Sequence, residues 1–138
     1  MLKGINWLAV AIAVVALEVL GFVYYGYLVN AAWTAAYTAS LGRAPDMSNA
    51  AVMQSIGAVN TVILVTGLAW VTRRLGGTGT AVIGAALAVW FFFDFTTMAV
   101  DHIYMAMSVK LVGLNMLYQL LSYLIAGAVL GFMPARKA

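Results

Sequence analysis

Residues 90–107 read WFFFDFTTMAVDHIYMAM. Trp90, Phe91, Phe92, Phe93 and Phe95 surround an aspartate, Asp94, and the pair Asp101-His102 follows within two helical turns. The solvent around this stretch decides the fold, and the rest of the chain identifies it. Of 138 residues, 65% are hydrophobic and 8% are charged, against about one quarter charged in a soluble domain. The surrounding solvent is lipid.

Outward from that stretch, the apolar residues fall into four runs, 5–29, 50–72, 80–105 and 111–133. Each meets the roughly 20 residues that a spanning helix needs. The runs are near-continuous rather than alternating, which disfavours a β-barrel, and helices satisfy their backbone groups internally. The expected fold is therefore all-α: a polytopic membrane four-helix bundle, one transmembrane domain over 1–138, with a short interfacial helix after the first span. The first run follows Lys3 like a signal peptide, but it outlasts the usual apolar core of roughly 7–15 residues and contains Glu18, so it is read as a retained helix. The chain has no cysteine, which removes disulfide and thiolate chemistry and leaves the redox compartment open. A net charge of +3, thinly spread, suggests no nucleic-acid face.

With four spans, Lys3, Arg73, Arg74, Arg136 and Lys137 share one side, against Arg43 and Lys110 on the other. This excess places both termini in the cytoplasm. The polar segment 31–41 carries Trp33 and Tyr37 on one face, as expected of a helix lying at the outer interface. Gly42 and Pro45 end it, and Asp46 or Ser48 is the expected cap of the second span. The segment 76–80, GGTGT, is a tight turn. A very short loop makes the last two spans an antiparallel hairpin.

Counting 1.5 Å per residue from the cytoplasmic ends brings Glu18, Asn60, Asp94, Tyr118, Gln119 and Ser122 to roughly the same depth, about 20 Å in. One polar layer near the midplane thus draws on all four helices. Helical spacing extends it outward: Asp94, Thr97, Met98, Asp101 and Met105 share a face, as do Asn115, Tyr118, Gln119 and Ser122, and Glu18, Gly21 and Tyr25. The simplest reading of Asn60, Gln119 and Ser122 is hydrogen-bonded glue between helices. That reading does not cover the acids. A charge at the bilayer centre costs about 2.5–3.5 kcal/mol even on the lenient insertion scale, and no Lys or Arg lies at the depth of Glu18 or Asp94. Each carboxyl is then neutral, wet or holding a cation, which makes it a functional candidate; a neutral acid bonded to Tyr118 or Asn60 is the structural alternative.

Asp101-His102 lies near the outer interface, where pairing with Lys110 suffices to explain it. Met98, His102 and Met105 share a helix edge, and thioether with imidazole suits Cu(I). The spacing is not a specific metal motif, and methionines in such chains mostly pack; no cofactor is expected, with copper the alternative. A Schiff base lacks a buried lysine, and a bis-histidine haem lacks a second histidine. No hydroxyl sits beside a base, and the Gly-rich places lack the lysine of a phosphate loop. No enzyme is expected. Gly21 with Gly26, Gly57 with Gly67, and the GAVLG pair Gly127 and Gly131 are expected to mark close helix approach. A homodimer or other homo-oligomer in the bilayer is expected from the surface that four short-looped helices leave.

INWLAVAIAVVALEVLGFVYYG at the start and NMLYQLLSYLIAGAVLGFM at the end resemble a bacterial family of small four-helix membrane proteins, domain of unknown function 1761. The resemblance rests on Asn6-Trp7, the triplet Tyr24-Tyr25-Gly26, and Asn115 with Tyr118. It implies a bacterial inner-membrane protein and no particular activity. Two departures accompany it: Tyr27 follows the triplet where the family has proline, and Glu18 and Asp94 stand where it has apolar or small residues. The residues themselves point to a small proton- or cation-linked carrier or channel, open to the outer side down to Glu18, Asn60, Asp94, Tyr118 and Gln119, through a vestibule of Tyr25, Asp101, His102 and Asn115. The alternative is a non-transporting accessory or structural subunit that binds a partner protein or a lipophilic ligand. An enzyme built on Asp101-His102 lacks a third catalytic group.

Overall fold

The computed structural model describes residues 3–133, so Arg136 and Lys137 of the basic set lie outside the described residues. Within them every regular element is a helix: α1 (Trp7–Leu28), α2 (Asn30–Leu41), α3 (Ala50–Arg74), α4 (Thr80–Ile103) and α5 (Val109–Phe132). All but the short α2 are long and apolar enough to cross a membrane.

The helix ends follow local chemistry. Asn6 starts α1, its Oδ1 accepting from the backbone N–H groups of Leu8 (3.1 Å) and Ala9 (3.2 Å), which satisfies two otherwise free donors. Ser108 does the same for α5 through the N–H of Leu111, while its own N–H donates to Ser40 Oγ at 2.9 Å and joins α2 to α5. Gly42 ends α2 at φ +68°, a left-handed conformation that glycine adopts without strain. The start of α3 differs from expectation. Neither Asp46 nor Ser48 caps it; the helix begins behind Asn49 with no side-chain cap. Asp46 Oδ1 instead accepts from the Ser48 N–H at 2.9 Å, because aspartate readily closes a turn with the amide two residues on.

Two spans contain a widened, π-helical turn, Tyr24–Leu28 in α1 and Trp90–Phe95 in α4. In α4 the turn is WFFFDF, the stretch that raised the question of solvent. Thr96 and Thr97 recapture carbonyls there: Thr96 Oγ1 donates to Phe92 O (2.9 Å) and Thr97 Oγ1 to Phe93 O (2.7 Å). Phe91, Phe92 and Phe93 are exposed on the bundle surface, where lipid would meet them.

Packing is uneven along the bundle. The core lies in the half where α1 starts and α5 stops; there Ala9, Ala13, Ala86 and Ala126 are fully buried beside Leu17, Val65 and Leu68. Lipid offers no hydrophobic drive between helices, so small residues that let backbones approach supply the contact. Gly127 and Gly131 act here, within one chain. A Cβ on Gly127 would lie 2.9 Å from Ala86 Cβ, and Gly131 backs onto Gly79, whose N–H donates to Gly131 O at 2.8 Å. The GxxxG face is therefore occupied by α4 rather than left for a second copy. Asn6 Nδ2 donates to Met133 O (3.0 Å), and the Arg73 guanidinium to Lys3 O, which closes this end.

The other half is open. Nothing lies within 4 Å of a Cβ built on Gly26 or Gly57, nor of one on Gly67, which is exposed on the outside of the filled half, so of the expected close approaches only those at Gly21, Gly127 and Gly131 form. The first half of α3 stands away from the bundle, with Val52, Met53, Ile56, Val59 and Ile63 exposed.

Candidate functional site

Where α3 stands away, α1, α2, α3 and α5 enclose a cleft of about 990 Å³. Glu18, Asn60, Tyr118 and Gln119 all line it, with Tyr25 and Trp33. With Ser122, also on the lining, five of the six residues in the expected polar layer thus share one space.

The aromatic wall is held from behind. Asn115 Oδ1 accepts from both the Tyr25 hydroxyl (3.1 Å) and Trp33 Nε1 (3.0 Å). Tyr24 is buried and donates to Leu114 O at 2.8 Å. The Tyr25 ring stands 4.9 Å from that of Tyr118 and 5.7 Å from that of Trp33, centre to centre. Such edge and tilted arrangements are the favoured ones for aromatic pairs. The widened turn at Tyr24–Leu28 presents these rings, with Asn30 Nδ2 donating to Tyr25 O at 3.0 Å. Asn115 is therefore a hub behind the wall rather than a free vestibule group.

Among the described residues Asn60, Gln119 and Ser122 make no side-chain hydrogen bond between helices. Ser122 Oγ donates to Tyr118 O of its own helix at 2.9 Å, and Thr61 Oγ1 to Gly57 O at 3.1 Å. Among the described residues the side chains of Glu18, Asn60 and Gln119 form no hydrogen bond to another helix. Instead, they face the cleft. Glu18 is half-buried, with Tyr118 as its electrostatic neighbour, and Gly21, one turn on, leaves room for the Tyr118 hydroxyl, 3.1 Å from where a Cβ would stand.

Asp94 stands apart: it is not among the residues lining the cleft. Tyr123 of α5 is its neighbour, and its Oδ2 is buried without a hydrogen-bond partner. Tyr118 and Tyr123 are five residues apart on α5, about 140° around it at 100° per residue, so the two acids address different sides of that helix. The widened turn also breaks the 3.6-residue count on which the Asp94 stripe depended. Asp101 and His102 lie beyond it, away from the cleft. His102 is exposed, and its Nδ1 is bonded to Met107 O at 2.8 Å. Met105 is exposed and Met98 half-buried. No group of three or more His, Cys, Asp or Glu side chains gathers among the described residues.

The sequence reading passed over Tyr123, Gln54 and the inward role of Trp33. Gln54 and Gly57 precede Asn60 at steps of three, a signal that was available. Trp33 was not recoverable, since an interfacial aromatic and one turned inward have the same spacing.

Fold and site together define a class: a small membrane-spanning helical bundle, closed at the end where α1 starts and α5 stops and hollowed at the other by a polar, aromatic-walled cleft. The chain belongs to the family described as protein of unknown function (DUF1761), which matches residues 8–131. No curated protein and no solved structure matches it.

Proposed function

We propose that the chain is a proton- or cation-linked membrane carrier whose binding site is the cleft, with Glu18 holding the proton or cation and Asn60, Gln119 and Tyr118 orienting the cargo. One observation carries this reading: the unpaired polar side chains of three helices, Glu18 among them, converge on a single space large enough for a small organic molecule, within spans that would lie in lipid. Ligand pockets of such molecules run to about 300–1,000 Å³, and intramembrane ionisable groups mark transport paths more often than they serve as glue. Arg73, Arg74 and Lys3 gather at the closed end, so the positive-inside tendency puts that end in the cytoplasm of a bacterial inner membrane and the cleft toward the outside. Asp94 is left out of this site on its placement, and no catalytic step is assigned.

The exposed half of α3 favours a second reading. Five exposed apolar residues and the open faces at Gly57 and Gly67 suit a helix of a partner or of another copy, which would make the chain a non-transporting accessory subunit. Purified protein in liposomes carrying an internal pH dye separates the two. A carrier acidifies or alkalinises the lumen when a cargo gradient is applied, and Glu18→Gln abolishes the signal. Unchanged proton flux in Glu18→Gln defeats the carrier reading, and stable co-purification with a larger complex favours the subunit.

A further inference from the structure

The cleft pairs one acid with several rings, and that combination selects a ligand chemistry. Glu18 is the sole carboxylate among the described lining residues, and no Lys or Arg lines the cleft to neutralise it. Tyr25, Tyr118 and Trp33 share the lining with it, two of them fixed by bonds to Asn115 that use their polar handles. A positive head set among ring faces gains from their quadrupoles, and quaternary ammonium groups are the usual guests of such settings. A bare metal ion is less well served: it asks for several oxygens at about 2–2.6 Å, while the single carboxylate and the neutral amides of Asn60 and Gln119 come from three separate helices around about 990 Å³. Phe22, Leu64 and Met53, also on the lining, give an apolar body somewhere to lie.

We propose that the cleft binds an organic ammonium cation, its charged head between Glu18 and the Tyr25–Trp33–Tyr118 wall and its apolar part along Phe22 and Met53. This names the cargo class of the carrier reading and rests on the same cleft, but it concerns binding alone. The rings are held before any ligand arrives, so little ordering is left for the binding step. The acid supplies the attraction that a neutral molecule of the same shape does not receive.

The test uses the full chain in nanodiscs and calorimetric titration with benzyltrimethylammonium, set against neopentylbenzene, which has the same shape without the charge. Expected is saturable binding of one cation per chain, at least tenfold tighter than the neutral isostere. Glu18→Gln should remove most of that preference while leaving neopentylbenzene unaffected, and Trp33→Leu should weaken the cation several-fold. Asp94→Asn, on the other side of α5, should change neither. Equal affinity for the two probes in the unaltered protein overturns the proposal even if every variant misfolds. So does absence of saturable cation binding, or a loss in Asp94→Asn as large as that in Glu18→Gln. Binding without proton flux in liposomes would leave this inference standing and remove the carrier reading; flux without cation binding would do the reverse.

Discussion

The two halves of this bundle are built from the same four spans, yet one is filled and the other hollow. In the half where α1 starts and α5 stops, Ala9, Ala13, Ala86 and Ala126 are fully buried, and Gly127 lets α5 settle on α4. In the other half Gly26 of α1 and Gly57 of α3 meet nothing: each has open space where a side chain would begin. A small residue closes a membrane bundle only where its neighbour is equally small; elsewhere it widens a gap. The same sequence device therefore makes a seal at one end and a cleft at the other.

The sharpest break of that comparison is a larger side chain on each side. Gly127→Val should be the most damaging change considered, since even its Cβ stands 2.9 Å from Ala86 Cβ and 3.2 Å from Ile83 Cα. Overpacking of this kind costs about 1–3 kcal/mol, enough to lower the folded yield and move the denaturation midpoint in mixed micelles. Gly57→Ala should stay within about 0.5 kcal/mol, as surface changes do. Equal loss in both variants would mean that the open half is packed in the bilayer, by another copy or by closure of α3.

Next in size is the wall of the cleft. Asn115→Leu leaves the Tyr25 hydroxyl and Trp33 Nε1 without their acceptor; both groups are partly buried, so a cost of about 1–2 kcal/mol is expected. Tryptophan emission should shift as the Trp33 ring is released. On the filled side of α5, Tyr123→Phe removes the hydroxyl beside Asp94, which should cost no more than about 1 kcal/mol. Infrared difference spectra should then show a moved Asp94 carboxyl band and an unmoved Glu18 band. If both bands move, the acids form one coupled layer and the division between the two sides of α5 fails.

Glu18→Gln should change stability by less than about 0.5 kcal/mol, because among the described residues no hydrogen bond engages that carboxyl. A larger loss would show that Glu18 holds the bundle together.

These contrasts also mark what the chain disclosed in advance. Span number and the closed half were readable because run length and the absence of polar residues need only the hydrophobic effect and the 1.5 Å rise. Glu18, Asn60, Tyr118 and Gln119 were grouped by depth, and depth survives small errors of rotation. Asp94 was grouped by depth too, but its direction depends on turns that widen at Trp90–Phe95, where fixed periodicity gives the wrong face. The GxxxG pair was visible as a contact surface; whether its partner is α4 or another chain depends on tertiary packing that spacing does not encode. Asn115 as acceptor for two rings required Tyr25 and Trp33 to meet it from separate elements, a long-range fact with no local signature.

The smallest expected effect lies at the lip of the cleft, where Ala44, Pro45 and Met47 complete its lining. Asp46 shapes this segment through the Ser48 N–H. That amide and the Ser48 hydroxyl, both donating to the carboxylate, hold Asp46 below its ordinary value of 3.8. A carboxyl depressed in the folded state contributes above its unfolded value, and the contribution is lost as pH falls through the folded one. The turn should therefore be intact at neutral pH and loosen only below about pH 3.8. Because the group is fully exposed, the change should be local: faster hydrogen exchange at the Ser48 amide, with α3 from Val65 onward unaffected. Asp46→Asn keeps an acceptor but not the charge, and should show the faster exchange already at neutral pH with no further acid dependence at this site. If acid loosened α3 along its whole length instead, the lip and the filled half would be one cooperative unit, and the open half would owe its shape to the closed one.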